Sequence, residues 1–329
     1  MAGRPTLRVT AAVLGVVIVG GGLADAHTKA AEGTGPRDKL HLVAPASPGG
    51  GWDTVAREIQ GAVDAHDLSG TTEVLNIPGA GGTIGLSRLA QQEGRANRLM
   101  MTGAVMTGAI QTTDSAVTLD DVTPIARMAD DYEAVVVPSD SPYRTVDDLM
   151  AAWRQHPRAV VVGGGSAGGT DHLFAGMLLH ASGVDTSRLN YVAYPGGGEV
   201  VTGLLDGGLD VGVSSYQDFA GQIEAGNLRA LGISAPEPLE KVDVPTFVEQ
   251  GVDVTLANWR GVVAAPGITP EQRAELERIV EWVHRTGQWR RAVRRNGWKD
   301  TFRTGAAFER FLDSETARIG RISEELGLS

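Results

Sequence analysis

Four short stretches of this chain hold the residue types that bind an anion without a cationic side chain. In the first, residues 42–59 (LVAPASPGGGWDTVAREI), an apolar run leads through Pro, Ser and Gly into a helix marked by Ala56, Ile59 and Val63. A strand–glycine loop–helix unit brings bare backbone N–H groups and the positive end of a helix dipole to one exposed point. The device recurs in EVLNIPGAGGTIGLSRLA, VVVGGGSAGGTDHLFAGMLL and YVAYPGGGEVVTGLL. A lone glycine turn needs no ligand. Repetition across the loops 47–51, 163–170 and 194–199 points instead to one shared carboxylate site.

Two enzymatic motifs overlap on the third stretch. Gly163, Gly165 and Gly168 satisfy the dinucleotide pattern G-x-G-x-x-G, with Asp185 at a tolerable distance for a ribose contact. Gly164, Ser166 and Gly168 satisfy G-x-S-x-G, the nucleophile elbow of α/β-hydrolases. A run this rich in glycine matches short glycine patterns by chance. The hydrolase alternative, a secreted serine hydrolase with Ser166 as nucleophile, needs a histidine late in the chain. The distant one, His284, falls inside an expected helix, 270–285, and no HGGG-type oxyanion segment is present. The chain is therefore not expected to be an enzyme, and no catalytic residue is assigned.

Asp53 at the mouth of a carboxylate site would repel its ligand, so it is expected to cap its own helix and pair with Arg57 at i+4. Asp171 is expected to act likewise, leaving Thr170 as the ligand hydroxyl. His172 and His180 lie two helical turns apart, too far to share a metal, and no metal or cofactor is expected. The basic segment 282–299, WVHRTGQWRRAVRRNGWK, is expected to be a solvated helix face with its tryptophans turned inward.

These loops need a scaffold, and the 329-residue chain is long enough for two domains. Hydrophobic residues make up 42% and charged residues 21%, as in ordinary globular proteins. Glycine, at 44 residues, is nearly double the average usage of about 7% and clusters in turns after apolar runs. The formal charge of −11 argues against a nucleic-acid partner, which demands a basic face. With no cysteine, disulfides, thiol catalysis and Cys-ligated zinc are excluded.

Arg4 and Arg8, an apolar run over 10–23 and Ala24-Asp25-Ala26 form the three-part pattern of a secretory signal, residues 1–26. The run is shorter than the ~20 residues of a membrane-spanning helix. Residues 27–39 are expected to be a disordered mature N-terminus. Strands are expected at 42–44, 73–76, 98–102, 132–138, 159–162, 190–193, 211–214, 229–234 and 261–265, with helices between most of them. Such alternation predicts an α/β fold of mostly parallel sheets flanked by helices. Helix starts are marked by Thr145 with Asp148, and by Thr269-Pro270 with Gln272. Seams at 121–131 and 235–244 suggest two chain crossings: a first lobe of 40–128 and 245–329, and a second of 129–244. A C-terminal helix carries Phe308, Phe311, Leu312, Ile319, Ile322 and Leu326 on one face.

Taken in order, APASPGGGWDTVAREI, NIPGAGGTIG, SPYRTVDDL, GGGSAGGTDH, YPGGGE, PTFVEQG, ANWRGV and APGITPEQ resemble the substrate receptors of tripartite tricarboxylate transporters, the Bug receptors. The likeness runs from about residue 40 to the C-terminus. It implies a two-lobed fold of the periplasmic-binding-protein type (type II) that closes on its ligand like a clamshell. It implies binding of a small carboxylate, citrate or a related di- or monocarboxylate, and handover to the membrane subunits of the transporter. It also implies an extracytoplasmic location and a monomer. The ligand-binding set expected on this basis begins with Ser47, Gly49, Gly50, Gly51 and Asp53. Gly82 and Thr107 follow, then Ser166, Gly168 and Thr170, and last Gly196, Gly197, Gly198 and Ser214. Trp52 is a departure, standing where many members carry a smaller residue. The signal makes a direct prediction: mass spectrometry of the exported protein should find His27 at its N-terminus, and a membrane-bound form retaining 10–23 would refute cleavage.

Overall fold

The computed structural model describes residues 35–113, 115–240 and 242–328. The expected signal, and residues 27–34 of the expected disordered segment, lie outside them. Residues 35–39 do not fit that expectation. They form a turn in which Asp38 N–H and Lys39 N–H donate to Gly35 O, and Lys39 pairs with Glu73.

Among the described residues ten strands run in chain order: β1 (Leu40–Ala44), β2 (Thr72–Asn76), β3 (Arg98–Gly103), β4 (Thr123–Pro138), β5 (Val161–Gly164), β6 (Asn190–Ala193), β7 (Val211–Ser215), β8 (Leu228–Ile233), β9 (Ala257–Ala264) and β10 (Lys299–Thr304). Ten α-helices accompany them there: α1 (Gly51–Ala65), α2 (Thr83–Ala90), α3 (Ala104–Thr112), α4 (Val146–Gln155), α5 (Thr170–Ala181), α6 (Gly197–Leu205), α7 (Tyr216–Glu224), α8 (Pro270–Arg285), α9 (Gly287–Arg295) and α10 (Gly305–Glu325).

The sheet order is β2-β1-β3-β9-β4-β7-β5-β6, with β8 and β10 also paired to β4. The architecture is two-lobed α/β. In one lobe β2, β1 and β3 are parallel; in the other β6, β5 and β7 are parallel. Each parallel trio needs helical crossovers, and that is why strands and helices alternate along the chain. The 16-residue β4 belongs to both lobes. Residues 123–132 pair antiparallel with β9, and residues 133–138 with β7 and β8.

The sequence placed the start of β4 at Tyr132 because Arg127, Asp130 and Asp131 interrupt the apolar pattern. All three are buried instead. Arg127 Nε donates to Asp130 Oδ1 at 2.8 Å, and its guanidinium stacks 3.9 Å from the Phe311 ring centroid. A paired charge is tolerated inside where an isolated one is not. Residues 257–260 likewise extend β9 beyond the expected 261–265. Ala159 lies in a short 3-10 turn, shifting β5 to Val161–Gly164. The basic segment is not one helix. Thr286 starts α9 by accepting from Trp289 N–H at 3.1 Å, and Gly297, at φ +63°, turns the chain into β10, which the sequence did not suggest. Trp289 and Trp298 face inward, but Trp282 is exposed.

One core gathers Leu40, Ile59, Trp259, Val280 and Trp289. Another gathers Trp153, Phe174, Leu178, Phe247 and Leu256. Phe247, Val252, Val254 and Leu256 pack in the second core, although residues from 245 onward were expected in the first lobe. The chain therefore crosses back at the start of β9, and the prolines around 235–245 turn it within the second lobe. Helix α10 contributes Phe308 and Leu312 to the first core and Ile319 to the second, where Leu326, just past its end, joins it. The helix starts at Thr145 and Thr269 are capping boxes, as expected.

The lobes touch where Gly108 of α3 faces Gly168, so closely that a Cβ at 108 would overlap Gly168 O and crowd Leu173. Gly108→Val should destabilise the protein by about 1–3 kcal/mol through overpacking, read as a lowered urea midpoint at unchanged m-value.

Candidate functional site

A cavity of about 760 Å³ opens between the lobes, within the ~300–1,000 Å³ usual for small-ligand sites. Its walls are built by the starts of helices. Gly50 and Gly51 open α1, Gly82 opens α2, Gly169 and Thr170 open α5, Gly196 and Gly197 open α6, and Ser215 opens α7; all line the cavity. None of these five helices has a side-chain cap. The first N–H groups of each helix lack an acceptor within that helix and can serve a ligand, except that Thr83 N–H at the start of α2 donates to Ala80 O.

The glycines answer different demands. Gly49 has φ +85°, a left-handed conformation costly for other residues. Gly50 is extended, at φ −70° and ψ 166°, so its backbone needs no glycine. At Gly51 the demand is space, because a Cβ would fall on the Arg260 guanidinium.

Asp53 is not the cap of α1 but its third residue, and it reaches back to the loop. Its Oδ2 accepts from Gly49 N–H and from Arg57 Nε, both at 2.8 Å, and its Oδ1 from Asn76 Nδ2 at 2.9 Å. Burial pushes the carboxyl pKa up, but the hydrogen bonds from Arg57, Gly49 and Asn76 outweigh it and hold the pKa below its ordinary value. Asp171 does the same on the facing loop, where its Oδ2 accepts from Gly165 N–H at 2.7 Å. There burial prevails over that bond, with Asp218 adding repulsion, and the pKa rises from 3.8 to about 6.

The floor comes from the crossing strands. Arg260 of β9 donates through Nη2 to Asp131 Oδ2 of β4 at 2.6 Å, and Ser215 Oγ donates to the same oxygen at 2.8 Å. Beside them Asn258 Nδ2 donates to Glu133 Oε1 at 3.0 Å. Glu133 is fully buried, and burial, then Asp171 and Asp131, push its pKa well up. Asp218 accepts from Ser214 Oγ at 2.8 Å.

Of the residues singled out in the sequence, Ser47, Gly49, Gly50, Gly51, Gly82, Ser166, Thr170, Gly196, Gly197, Gly198 and Ser214 line this one cavity. Three do not. Asp53 sits behind the loop that it ties. Thr107 is buried, its Oγ1 donating back to Gly103 O at 3.2 Å. Gly168, at φ +76°, packs against Thr112. Thr170 Oγ1, expected as the ligand hydroxyl, lies 3.3 Å from Asp171 Oδ1 and donates to it. Trp52 fills the wall, its Nε1–H donating to Thr102 O at 3.2 Å. Sequence reasoning missed Asp131, Asp218, Asn258, Arg260 and Trp298, all of which line the cavity. The available signal was an ionisable residue inside an apolar strand, as in ANWRGVVAA. Among the described residues no histidine lines the cavity with Ser166, and His284 stacks on Phe302 and bonds to Asp300.

A family model described as tripartite tricarboxylate transporter family receptor matches residues 55–328. A UPF0065 protein from the tcbD–tcbE intergenic region of Pseudomonas sp. (strain P51) is 28% identical over 251 residues, 74% of this chain and 72% of that protein. Among solved structures, an unliganded TctC solute-binding protein from Polaromonas gives a TM-score of 0.70 at 25% identity, covering 88% of this chain and 99% of that one. MatC from Rhodopseudomonas palustris with bound malate shares the fold, with a TM-score of 0.77 at 22% identity over 87% and 99% of the two chains.

The raised pKa of Asp171 makes a prediction about stability. Between pH about 4 and 6 the folded chain keeps a proton that the unfolded chain has lost, so this group's contribution is complete below pH 4 and is lost as pH rises through 6. The slope is at most about 1.4 kcal/mol per pH unit. Asp171→Asn, whose amide oxygen still accepts from Gly165, should raise the melting temperature at pH 7.5 and lose that advantage near pH 4.

Proposed function

The chain belongs to the tripartite tricarboxylate transporter receptor family, and from that premise we propose that it captures a small carboxylate in the interlobe cleft and delivers it to the membrane subunits of such a transporter. The observation that carries this reading is the meeting of five uncapped helix starts in one cavity. Hydrogen bonds to a charged group contribute about 1.5–3 kcal/mol each, and micromolar affinity needs about 8 kcal/mol net. Four to six amide and hydroxyl donors therefore suffice after association costs, on the order of what these loops present. No catalytic group is required, and the reading is of a binding protein without enzymatic activity.

The malate bound in the MatC structure, which has the same fold, supports a carboxylate as the ligand class. The signal pattern at the N-terminus supports an extracytoplasmic site of action, where a receptor of this kind meets its ligand before the membrane does. Loops from both lobes line the cleft, which favours closure around the ligand, with 47–51 on one side and 166–170 and 196–198 on the other.

Thermal melting against di- and tricarboxylates, amino acids and aromatic acids tests the assignment. A true ligand at a hundredfold its Kd stabilises the fold by about 2.7 kcal/mol. Gly51→Val, which displaces Arg260 and blocks the start of α1, should abolish the shift. Small-angle scattering should show a smaller radius of gyration with ligand present. Melting temperatures indifferent to every acid would refute the reading. Tight binding without compaction would replace the clamshell by a preformed pocket.

A further inference from the structure

The cleft's side chains carry the wrong charge for a simple dianion. Among the described residues four carboxylates line it, Asp131, Asp171, Glu199 and Asp218, against one guanidinium, Arg260, which leaves three formal negative charges. The five helix starts each contribute about half a positive charge, so together they roughly offset that excess before any ligand arrives. A dicarboxylate would add two negative charges with nothing left to balance them. A ligand that brings its own cation adds none. Among the described residues no group of three or more His, Cys, Asp or Glu side chains is placed to hold a metal ion.

The positions of the charges are as informative as their number. Arg260 is more than nine-tenths buried, with one edge committed to Asp131 and its Nε without a partner. Its guanidinium lies directly against Gly51 at the start of α1, with the Trp298 ring 5.7 Å away. An anion entering here meets a cation and bare amides together. The acids differ in how far their oxygens are committed. Asp131 accepts from Arg260, Ser215 and its neighbour's N–H, and Asp171 from Gly165 and Thr170. Glu199 stands exposed at the rim. Asp218 is the acid that is both reachable from the cleft and lightly engaged, by Ser214 Oγ. Asp131, Asp171 and Arg260 are its charged neighbours. Cation and anion thus line the same cavity, within reach of each other's field.

Building on the carboxylate reading above, we propose that the ligand is an amino acid or similar amino-carboxylate, its carboxylate held by Arg260 and the amides opening α1 and its protonated amine by Asp218. Ser214 orients the Asp218 carboxylate, and Asp131 orients the guanidinium. The site then reads the separation between two opposite charges, a property that a simple dicarboxylate does not have.

Matched pairs that differ by one amine test this: propionate with L-alanine, succinate with L-aspartate and glutarate with L-glutamate. Binding is followed at pH 7.5 by titration calorimetry and by the fluorescence of Trp52 and Trp298, which line the cavity. In at least one pair the amine-bearing acid should bind about tenfold or more tightly, the worth of one charge-assisted hydrogen bond. Asp218→Asn should collapse that ratio to within about twofold. Arg260→Gln strands Asp131 without its partner, so Asp131→Asn combined with Arg260→Gln serves as the folded control and should weaken both members of a pair. Equal binding within every pair, or a ratio that survives Asp218→Asn, overturns the amine contact and leaves the carboxylate reading intact. Binding of n-butylamine as tight as that of the acids overturns the carboxylate reading instead. Silence towards all of these compounds overturns both.

Discussion

Asp131 and Arg260 meet at 2.6 Å where β4 passes from one lobe to the other, each more than nine-tenths buried. A charge taken out of water must keep its partner, and stranding one of such a pair costs about 3–5 kcal/mol. The pair therefore constrains the alignment of β4 with β9, in which Asp131 faces Asn258 and Ala129 faces Arg260. A slip of one residue would turn one of the two side chains to the opposite face of the sheet and part the pair. Because β9 continues to β3 and β4 to β7, the loops that open α1 and α5 inherit their positions from this one alignment. The cleft has its geometry because its floor cannot shift.

Above that floor the two lobes solve the same local problem in parallel. A glycine loop that must present its amides outward needs an internal tether, and in each lobe an early helical aspartate supplies it, Asp53 to Gly49 and Asp171 to Gly165. The tethers differ in their surroundings. Arg57 and Asn76 stand beside Asp53, whereas Asp171 shares its side of the cleft with Asp218 and Glu133. Identical hardware thus yields a carboxylate that ionises readily on one side and one that resists ionisation on the other.

Much of this was legible in the sequence because it is local. Caps such as Thr145 with Asp148 span three residues, and each glycine loop directly joins its strand to its helix, so pattern and position coincide. The loops at 47–51, 166–170 and 196–198 could be assigned to one cavity without coordinates. What escaped was set by distant partners. Arg260 and Asp131 are 129 positions apart, and neither has a local feature that names the other. Strand β10 exists because β4 offers it an edge, not because KDTFRT is a strong strand former. Residues 245–256 were expected in the first lobe, and only the burial of Phe247 and Leu256 assigns them to the second. The pairing of Asp53 with Arg57 was legible at i+4, yet its other partner Asn76 was out of reach of any local rule.

Helix α10 has a mechanical meaning. Its 21 residues form a rod about 30 Å long, with Phe308 and Leu312 embedded in one lobe and Ile319, followed by Leu326 just past the helix end, in the other. Two bodies joined by strands alone swing freely about them. Two bodies also spanned by a clamped rod do not: rotation must either flex the rod or drag its apolar side chains across the surface in which they sit. Flexing lengthens hydrogen bonds along the outer side of the helix, and dragging breaks close-packed contacts. Either way the resistance grows with displacement, so the rod behaves as a torsion spring, opposing movement of the lobes in proportion to its extent and returning them once the load is gone.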